Sequence, residues 1–359
     1  MTNLFISLAM SLTALITGGE EAELVFAGDA MQHTAQNTAA KQADGTYSFD
    51  ECFASIAPYV QAADYAVVNL EMPLGGAPYS GYPMFCAPDS YSEALKNTGF
   101  DLMLTANNHA LDKRDKGAKR TLDVLDQQGL AHVGTYRNSA DREKSLPLIK
   151  DINGFKIAFL NYTYGTNGLK VQNDLVVDYI DKAKIKKDIA KAREAGAEVV
   201  CACMHWGVEY VLLPNESQKD LANFLTEEGV DIIFGGHPHV IQPMEMRWSK
   251  AHNKKVFLIY SLGNLISNMT TKDTRGGALA KVKLTRDENG NPIIDSASYR
   301  LVFTLQPGGG SKNFRIIPVE DYTSGPLKSH CDVFVNNAEK IFNKHNIDVP
   351  RDKTPIRAK

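Results

Sequence analysis

Short apolar runs recur along the chain, and most of them end on polar residues. Residues 23–27, 65–70, 101–105, 198–204 and 231–234 are rich in Val, Leu, Ile, Phe, Ala and Met and have the length of buried strands. Stretches with apolar positions at helical spacing lie between them, at 49–60, 89–97, 115–128, 179–195 and 216–228. Strand alternating with helix predicts an α/β fold, and in such folds sites form beyond the carboxyl ends of the strands.

Local signals fill in this outline. Ser48-Phe49-Asp50-Glu51 has the form of a capping box ahead of Cys52, Phe53, Ile56 and Val60, with Pro58 set against a straight helix. Asn153-Gly154 between two apolar runs predicts a tight hairpin, and segments 242–247 and 255–260 a second antiparallel pair. Gly229 closes the helix over 216–228 as its C′ residue. The run Lys182, Lys184, Lys186 and Lys187 reads as a solvated helix face. Segment 73–88, rich in Gly, Pro and Tyr and without periodicity, reads as a binding loop or lid. Past residue 270, β-like segments at 278–284 and 293–305 and a less regular tail predict a C-terminal extension, 271–359, that completes the second sheet or forms a small subdomain.

Composition changes the picture in few places. At 359 residues, 43% hydrophobic and 23% charged, the chain has the make-up of an ordinary globular protein with a sizeable core. A net charge of −3 offers no basic footprint, so nucleic acid is not expected as a partner. The apolar stretch 4–17, followed by Gly18 and Gly19, resembles a secretory leader over 1–22 and is too short for a comfortable bilayer span. It predicts an extracytoplasmic protein with no stable membrane span beyond the leader. The five cysteines lack framework spacing, and Cys201 and Cys203 read as small buried thiols of a core strand rather than as metal ligands.

The chemistry sits at the strand tips. The apolar runs deliver Asp29, then Glu71, then Asn108 and His109 with Asp112, then His205, then His237 and His239 behind Gly235-Gly236. Each residue alone is an ordinary turn or cap residue. Neutral imidazole is the commonest protein ligand for zinc and similar metals. Two imidazoles on a loop stiffened by Pro238 therefore address one metal centre or two adjacent ones. Taken together, the mixed O and N donors suit a pair of divalent cations with one carboxylate bridging them. Zn, Mn or Fe fit such a set better than Ca or Mg, which prefer all-oxygen sites.

Six stretches occur together in an order that resembles a known family: Gly28-Asp29-Ala30-Met31, Asn69-Leu70-Glu71, Ala106-Asn107-Asn108-His109, His205-Trp206-Gly207-Val208-Glu209-Tyr210, Gly236-His237-Pro238-His239-Val240 and Ser261-Leu262-Gly263-Asn264. They look like the poly-γ-glutamate capsule biosynthesis (CapA-type) family, a branch of the calcineurin-like metallophosphoesterase superfamily. The resemblance covers about 24–268, within a domain placed at 23–270. It implies a four-layer αββα sandwich of two mixed β-sheets with two metals at the strand ends. Asp29 and His239 would hold one metal, Glu71 would bridge, and Asn108, His205 and His237 would hold the other. His109 would assist the leaving group, with Asp112 orienting it, and Glu209, Tyr210 and Asn264 would line the substrate pocket. Met31 stands where the superfamily pattern has a histidine, and a thioether is a poor ligand for a hard cation. His33 is the candidate to replace it. Glu71 stands where the bridging residue is more usually Asp, lengthening that arm by a methylene.

Three functions fit these residues. One is a metal-dependent hydrolase acting on a phosphoester or on an amide of an anionic polymer. Another is a non-catalytic factor that binds, exports or anchors poly-γ-glutamate, working with other capsule-synthesis proteins. The last is a structural metal domain without turnover. The acid–base pair His109 and Asp112 favours the hydrolase, because binding alone needs no such group. No G-x-S-x-G and no P-loop signature occurs.

Overall fold

The computed structural model describes residues 20–308 and 312–356; the leader-like stretch at 4–17 lies outside them. One mixed sheet runs β16 (Arg315–Pro318), β15 (Pro292–Leu305), β14 (Gly276–Arg286), β1 (Ala22–Ala30), β2 (Tyr65–Leu70), β3 (Leu102–Leu104), β4 (Ala131–Val133), with β13 (Asn264–Ile266) paired beside the end of β1. Its half from β1 to β4 is parallel, and the half from β14 to β16 is antiparallel. The other sheet runs β11 (Ile241–Ser249), β12 (Lys254–Leu262), β10 (Ile232–Gly236), β9 (Val199–His205), β7 (Phe155–Thr163), β6 (Leu148–Ile152). A two-stranded ribbon pairs β5 (Thr135–Tyr136) with β8 (Val176–Val177).

Period-two alternation along β1 explains the layering. Leu24 and Phe26 point to the second sheet, where the Phe26 and Phe234 rings stack at 5.5 Å and Tyr65 meets Phe159 at 5.3 Å. Val25 and Ala27 point the other way, into helices that bring Phe53, Tyr91, Leu95 and Val124. The far face of the second sheet is covered by Ile185 and Ile189 of helix Lys182–Glu194 and by Leu221 and Leu225 of helix Glu216–Glu227. Helix, sheet, sheet, helix is the four-layer sandwich that the family resemblance implied. The Asn153-Gly154 hairpin joins β6 and β7 in antiparallel register, with both turn residues at positive φ. The pair β11 and β12 and the C′ position of Gly229 are also as expected.

Three expectations are corrected. The segment 49–60 is not one capped helix: it folds as two turns, Asp50–Phe53 and Ala57–Val60. Pro58, with no N–H, opens the second, and Ser48 Oγ donates to the Asp50 carboxylate at 3.3 Å instead of capping a backbone amide. The strands past 270 join the first sheet, not the second, because β14 pairs antiparallel with β1. The tail is not irregular throughout, since Lys328–His345 is a helix that buries Cys331, Phe334, Ala338 and Phe342 on one face. Among the described residues no helix is long and apolar enough to cross a membrane.

Candidate metal centre

Five strand ends from the two sheets converge here. Asp29 is the penultimate residue of β1, β9 ends at His205, and the loop after β10 carries His237 and His239. Close backbone approach makes this possible: a Cβ on Gly28 would lie 2.0 Å from the Gly263 carbonyl oxygen, and one on Gly236 would lie 2.6 Å from Asp29 Oδ1. His237 and His239 both sit at positive φ, 99° and 58°, strained conformations that the flanking strands and Pro238 impose.

The convergent donors form overlapping groups. Ligand atoms of Asp29, Glu71 and His239 lie within 4.8 Å of one another, and so do those of Glu71, His205 and His237 and those of Glu209, His237 and His239. Glu71 is common to the first two groups. Asn108 Oδ1 lies 2.9 Å from His205 Nε2. Two donors about 2.1 Å from one ion and at right angles are about 3 Å apart, so this spacing also fits neighbouring ligands. All these side chains except Glu209 are buried.

Asparagines orient the set. Asn69 Nδ2 donates to Asp29 Oδ1 at 2.8 Å and lies 3.3 Å from both Glu71 Oε2 and His205 Nδ1. Asn107 in turn donates to Asn69 Oδ1 and to the Leu70 carbonyl. Asn264 Nδ2 donates to the Thr274 carbonyl, which can only accept, so its Oδ1 faces His239 Nδ1 at 3.1 Å and that nitrogen carries the proton. His239 Nε2 is then free, 3.8 Å from Glu71 Oε1 and 4.0 Å from Glu209 Oε1.

Burial holds His205 well below the ordinary imidazole range and pulls His237 down to about 3, so both are neutral and ligand-ready at neutral pH. Burial, then the charge of Asp29, pushes Glu71 well above the usual carboxylate range. Burial acts the same way on Asp29, but the neighbouring His239, hydrogen-bonded to it, outweighs burial and holds that group low. Glu71 Oε1 and His237 Nδ1 are buried without a hydrogen-bond partner among the described residues. Buried polar atoms of this kind are rarely left bare, and both residues belong to the donor groups, so the residues present fit divalent cations.

His109 lies beside the cluster. Its Nδ1 is 2.8 Å from Asp112 Oδ2, which also accepts the Phe85 N–H at 2.7 Å. An anionic partner that accepts at Nδ1 leaves Nε2 as the atom that holds or gives up a proton. His109 and Asp112 border an open cleft of about 320 Å³ with Tyr82, Phe85, Asn167, Glu209 and Tyr210.

Two expected residues take other places. His33 is outside every donor group: its Nδ1 lies 3.2 Å from Gln36 Oε1 and 3.3 Å from the Asn268 N–H, and its ring packs against Phe85. The cause is local, since His33 is the N-cap of helix Thr34–Ala40 and shares a capping box with Gln36. Asn264 does not line the cleft; it is fully buried and holds His239. Glu209 and Tyr210 do line it. Residues that the sequence did not single out are Asn167, within 3.5 Å of both Asn108 Nδ2 and His109 Nδ1, and Tyr164, whose half-exposed ring lies 4.6 Å from that of His237. Phe85, from the loop at 73–88, packs edge-on to His109 at 4.6 Å. Only Phe85 had a signal, as an aromatic inside that aperiodic loop.

Comparison with known proteins places the chain in a family. A family model described as bacterial capsule synthesis protein PGA_cap matches residues 23–269. The capsule biosynthesis protein CapA of Bacillus anthracis is 29% identical over 272 residues, covering 71% of this chain and 62% of that protein. The PGA biosynthesis protein CapA of Bacillus subtilis is 31% identical over 273 residues, covering 74% and 68%. This chain thus spans about three-fifths of the length of the first of these relatives. Among solved structures, a Staphylococcus aureus protein assigned as a 5′-nucleotidase superposes with a TM-score of 0.50 at 14% identity over 89% of this chain and 58% of that one, a likeness of fold alone. The calcineurin-like phosphoesterase YfkN of Bacillus subtilis gives 0.43 at 12% identity, over 91% and 99%. The family match begins within β1 and runs past β13, so it takes in every strand that brings a donor to the cluster, and the chain belongs to the bacterial capsule synthesis protein family.

Proposed function

We propose that this protein is a metal-dependent hydrolase of capsule biosynthesis, acting on a phosphoester or on an amide of an anionic polymer such as poly-γ-glutamate. The observation that carries this is the bare, buried Glu71 Oε1 shared between two donor groups, with a histidine–carboxylate pair beside it at the mouth of the cleft. Asp29, Glu71 and His239 would hold one divalent ion, and Glu71, Asn108, His205 and His237 the other. Zn, Mn or Fe suits this mixture of imidazole, amide and carboxylate. Bound there, such a pair supplies hydroxide near neutral pH and draws negative charge off the scissile group.

The chain's own groups do the rest. Among the described residues no Lys or Arg lines the cleft, whereas Asp112 and Glu209 do. A polyanion is therefore repelled from the metal-free protein, and its binding is expected to depend on added cation. His109, with Nδ1–H donated to Asp112, gives the proton at Nε2 to the departing oxygen or nitrogen. Tyr210 and Tyr82, both exposed at the rim, bracket the substrate chain. The leader-like stretch at 4–17 supports a location outside the cytoplasm. Recovery of the full-length chain from the cytosolic fraction alone counts against that location.

The deciding experiment pairs metal analysis with hydrolysis of an aryl phosphate and of γ-glutamyl polymer. Two transition-metal ions per chain and turnover of one substrate are expected. His109→Ala should keep the metal and lose about 10²–10⁴-fold in rate. A metal-loaded wild type that turns over neither substrate but binds the polymer favours the export or anchoring role instead.

A further inference from the structure

We propose that Glu209 is a ligand of the first metal ion and supplies the donor that Met31 cannot. The proposal rests on the metallohydrolase reading and adds to it a residue that the superfamily pattern does not contain. Asp29, Glu71 and His239 alone leave that ion short of a ligand, since Met31 offers only a thioether and His33 is held by Gln36 and the Asn268 amide.

Distance supports the assignment. Donors about 2.1 Å from a common ion are separated by about 3.0 Å when adjacent and about 4.2 Å when opposite. His239 Nε2 lies 3.8 Å from Glu71 Oε1 and 4.0 Å from Glu209 Oε1, both inside that window. Glu209 groups with His237 and His239 rather than with Asp29 and Glu71, so its half-exposed carboxylate has to turn inward from the His239 side to complete the ion. The lone pair of His239 Nε2 faces this space because Asn264 fixes the proton on Nδ1. Glu71 Oε1, fully buried and without a hydrogen-bond partner among the described residues, is turned to the same space. Met31, Glu209 and His239 share the wall of one cleft.

The backbone holds Glu209 in place. Gly207 at φ 91° and Tyr210 at φ 67° bend the segment after β9, and the Tyr210 N–H donates to the Pro238 carbonyl at 2.8 Å. That bond ties the Glu209 segment to the loop bearing His237 and His239. The Glu209 side chain remains 40% exposed, so this side of the ion opens to the cleft where a substrate oxygen can reach it.

The test compares wild type with Glu209→Gln, His33→Ala and the double variant Met31→His/Glu209→Gln. Bound Mn or Zn is counted after dialysis and affinities are taken by calorimetry, with circular dichroism verifying the fold. Removal of groups that merely support a ligand weakens binding by 10–100-fold, so loss of a ligand should weaken the first ion by about 100-fold or more. Glu209→Gln should retain one ion in place of two, His33→Ala should retain both, and adding Met31→His to Glu209→Gln should restore the second. Two ions at unchanged affinity in Glu209→Gln, or loss of one in His33→Ala, overturns the assignment and leaves the dinuclear reading standing. A wild type that takes up no ion sinks both.

Discussion

Replacing Glu71 with Gln is expected to stabilise the metal-free protein while abolishing its response to metal. Glu71 is fully buried, its Oε1 is bare, and Asp29 shares the Asn69 amide with it. Burial and the Asp29 charge raise its pKa well above the ordinary 4.5. A raised folded-state pKa gives stability that is fully present below 4.5 and is lost as pH rises. The most that can be lost by pH 7 is the free energy of keeping an ordinary Glu protonated there, about 3.4 kcal/mol at 1.36 kcal/mol per pH unit. Gln has the same shape and no charge to lose, and it keeps an oxygen for Asn69. With roughly 2.1 cal/mol/K of unfolding entropy per residue, a chain of 359 residues changes Tm by about 1.3 °C per kcal/mol. Glu71→Gln should therefore match wild type near pH 4 and melt up to about 4–5 °C higher at pH 7 in chelator. Adding Mn or Zn at about a thousand times its Kd should raise wild type by about 4 kcal/mol, or about 5 °C, and leave the variant unmoved. The assay is thermal melting across pH, with and without metal. A variant less stable than wild type in chelator at pH 7, or one that gains as much from metal, would refute the reasoning, because Glu71 would then be a paired structural anion.

Asn264→Ala removes the acceptor that fixes the His239 proton on Nδ1, so metal affinity should fall 10–100-fold by calorimetry while the protein still folds. Gly236→Ala places a methyl 2.6 Å from Asp29 Oδ1, where only the carboxylate or the strand can yield. The first ion should be lost from that variant, and an unchanged metal count would show that the strand end is looser than this distance implies.

How much of this was legible in the sequence depends on how far apart the interacting residues lie along the chain. Strands and helices followed from local periodicity, and the hairpin at Asn153-Gly154 from turn chemistry, because each signal is complete within a few residues. The strand tips Asp29, Glu71, Asn108, His205, His237 and His239 could be collected because every parallel strand ends on the same side of its sheet. Pairing of β14 with β1 was not legible, since nothing in either strand says which of two sheets it joins. The helix Lys328–His345 was legible in principle: Cys331, Phe334, Ala338 and Phe342 recur at helical spacing but are diluted by polar neighbours.

Met31 marks the limit most clearly. A missing ligand suggests the nearest donor along the chain, and His33 stands only two positions on. Three positions past the end of a strand, however, the chain no longer follows the pleat. By residue 33 it has turned into the N-cap of a helix, and the imidazole answers to Gln36 and Asn268. Glu209 reaches the same space from a different sheet, through one backbone bond between Tyr210 and Pro238 that no local pattern encodes. Ligand sets assembled across two sheets are interchangeable in space before they are interchangeable in sequence, so a lost donor is more readily replaced from the facing loop than from a neighbouring position on the same one.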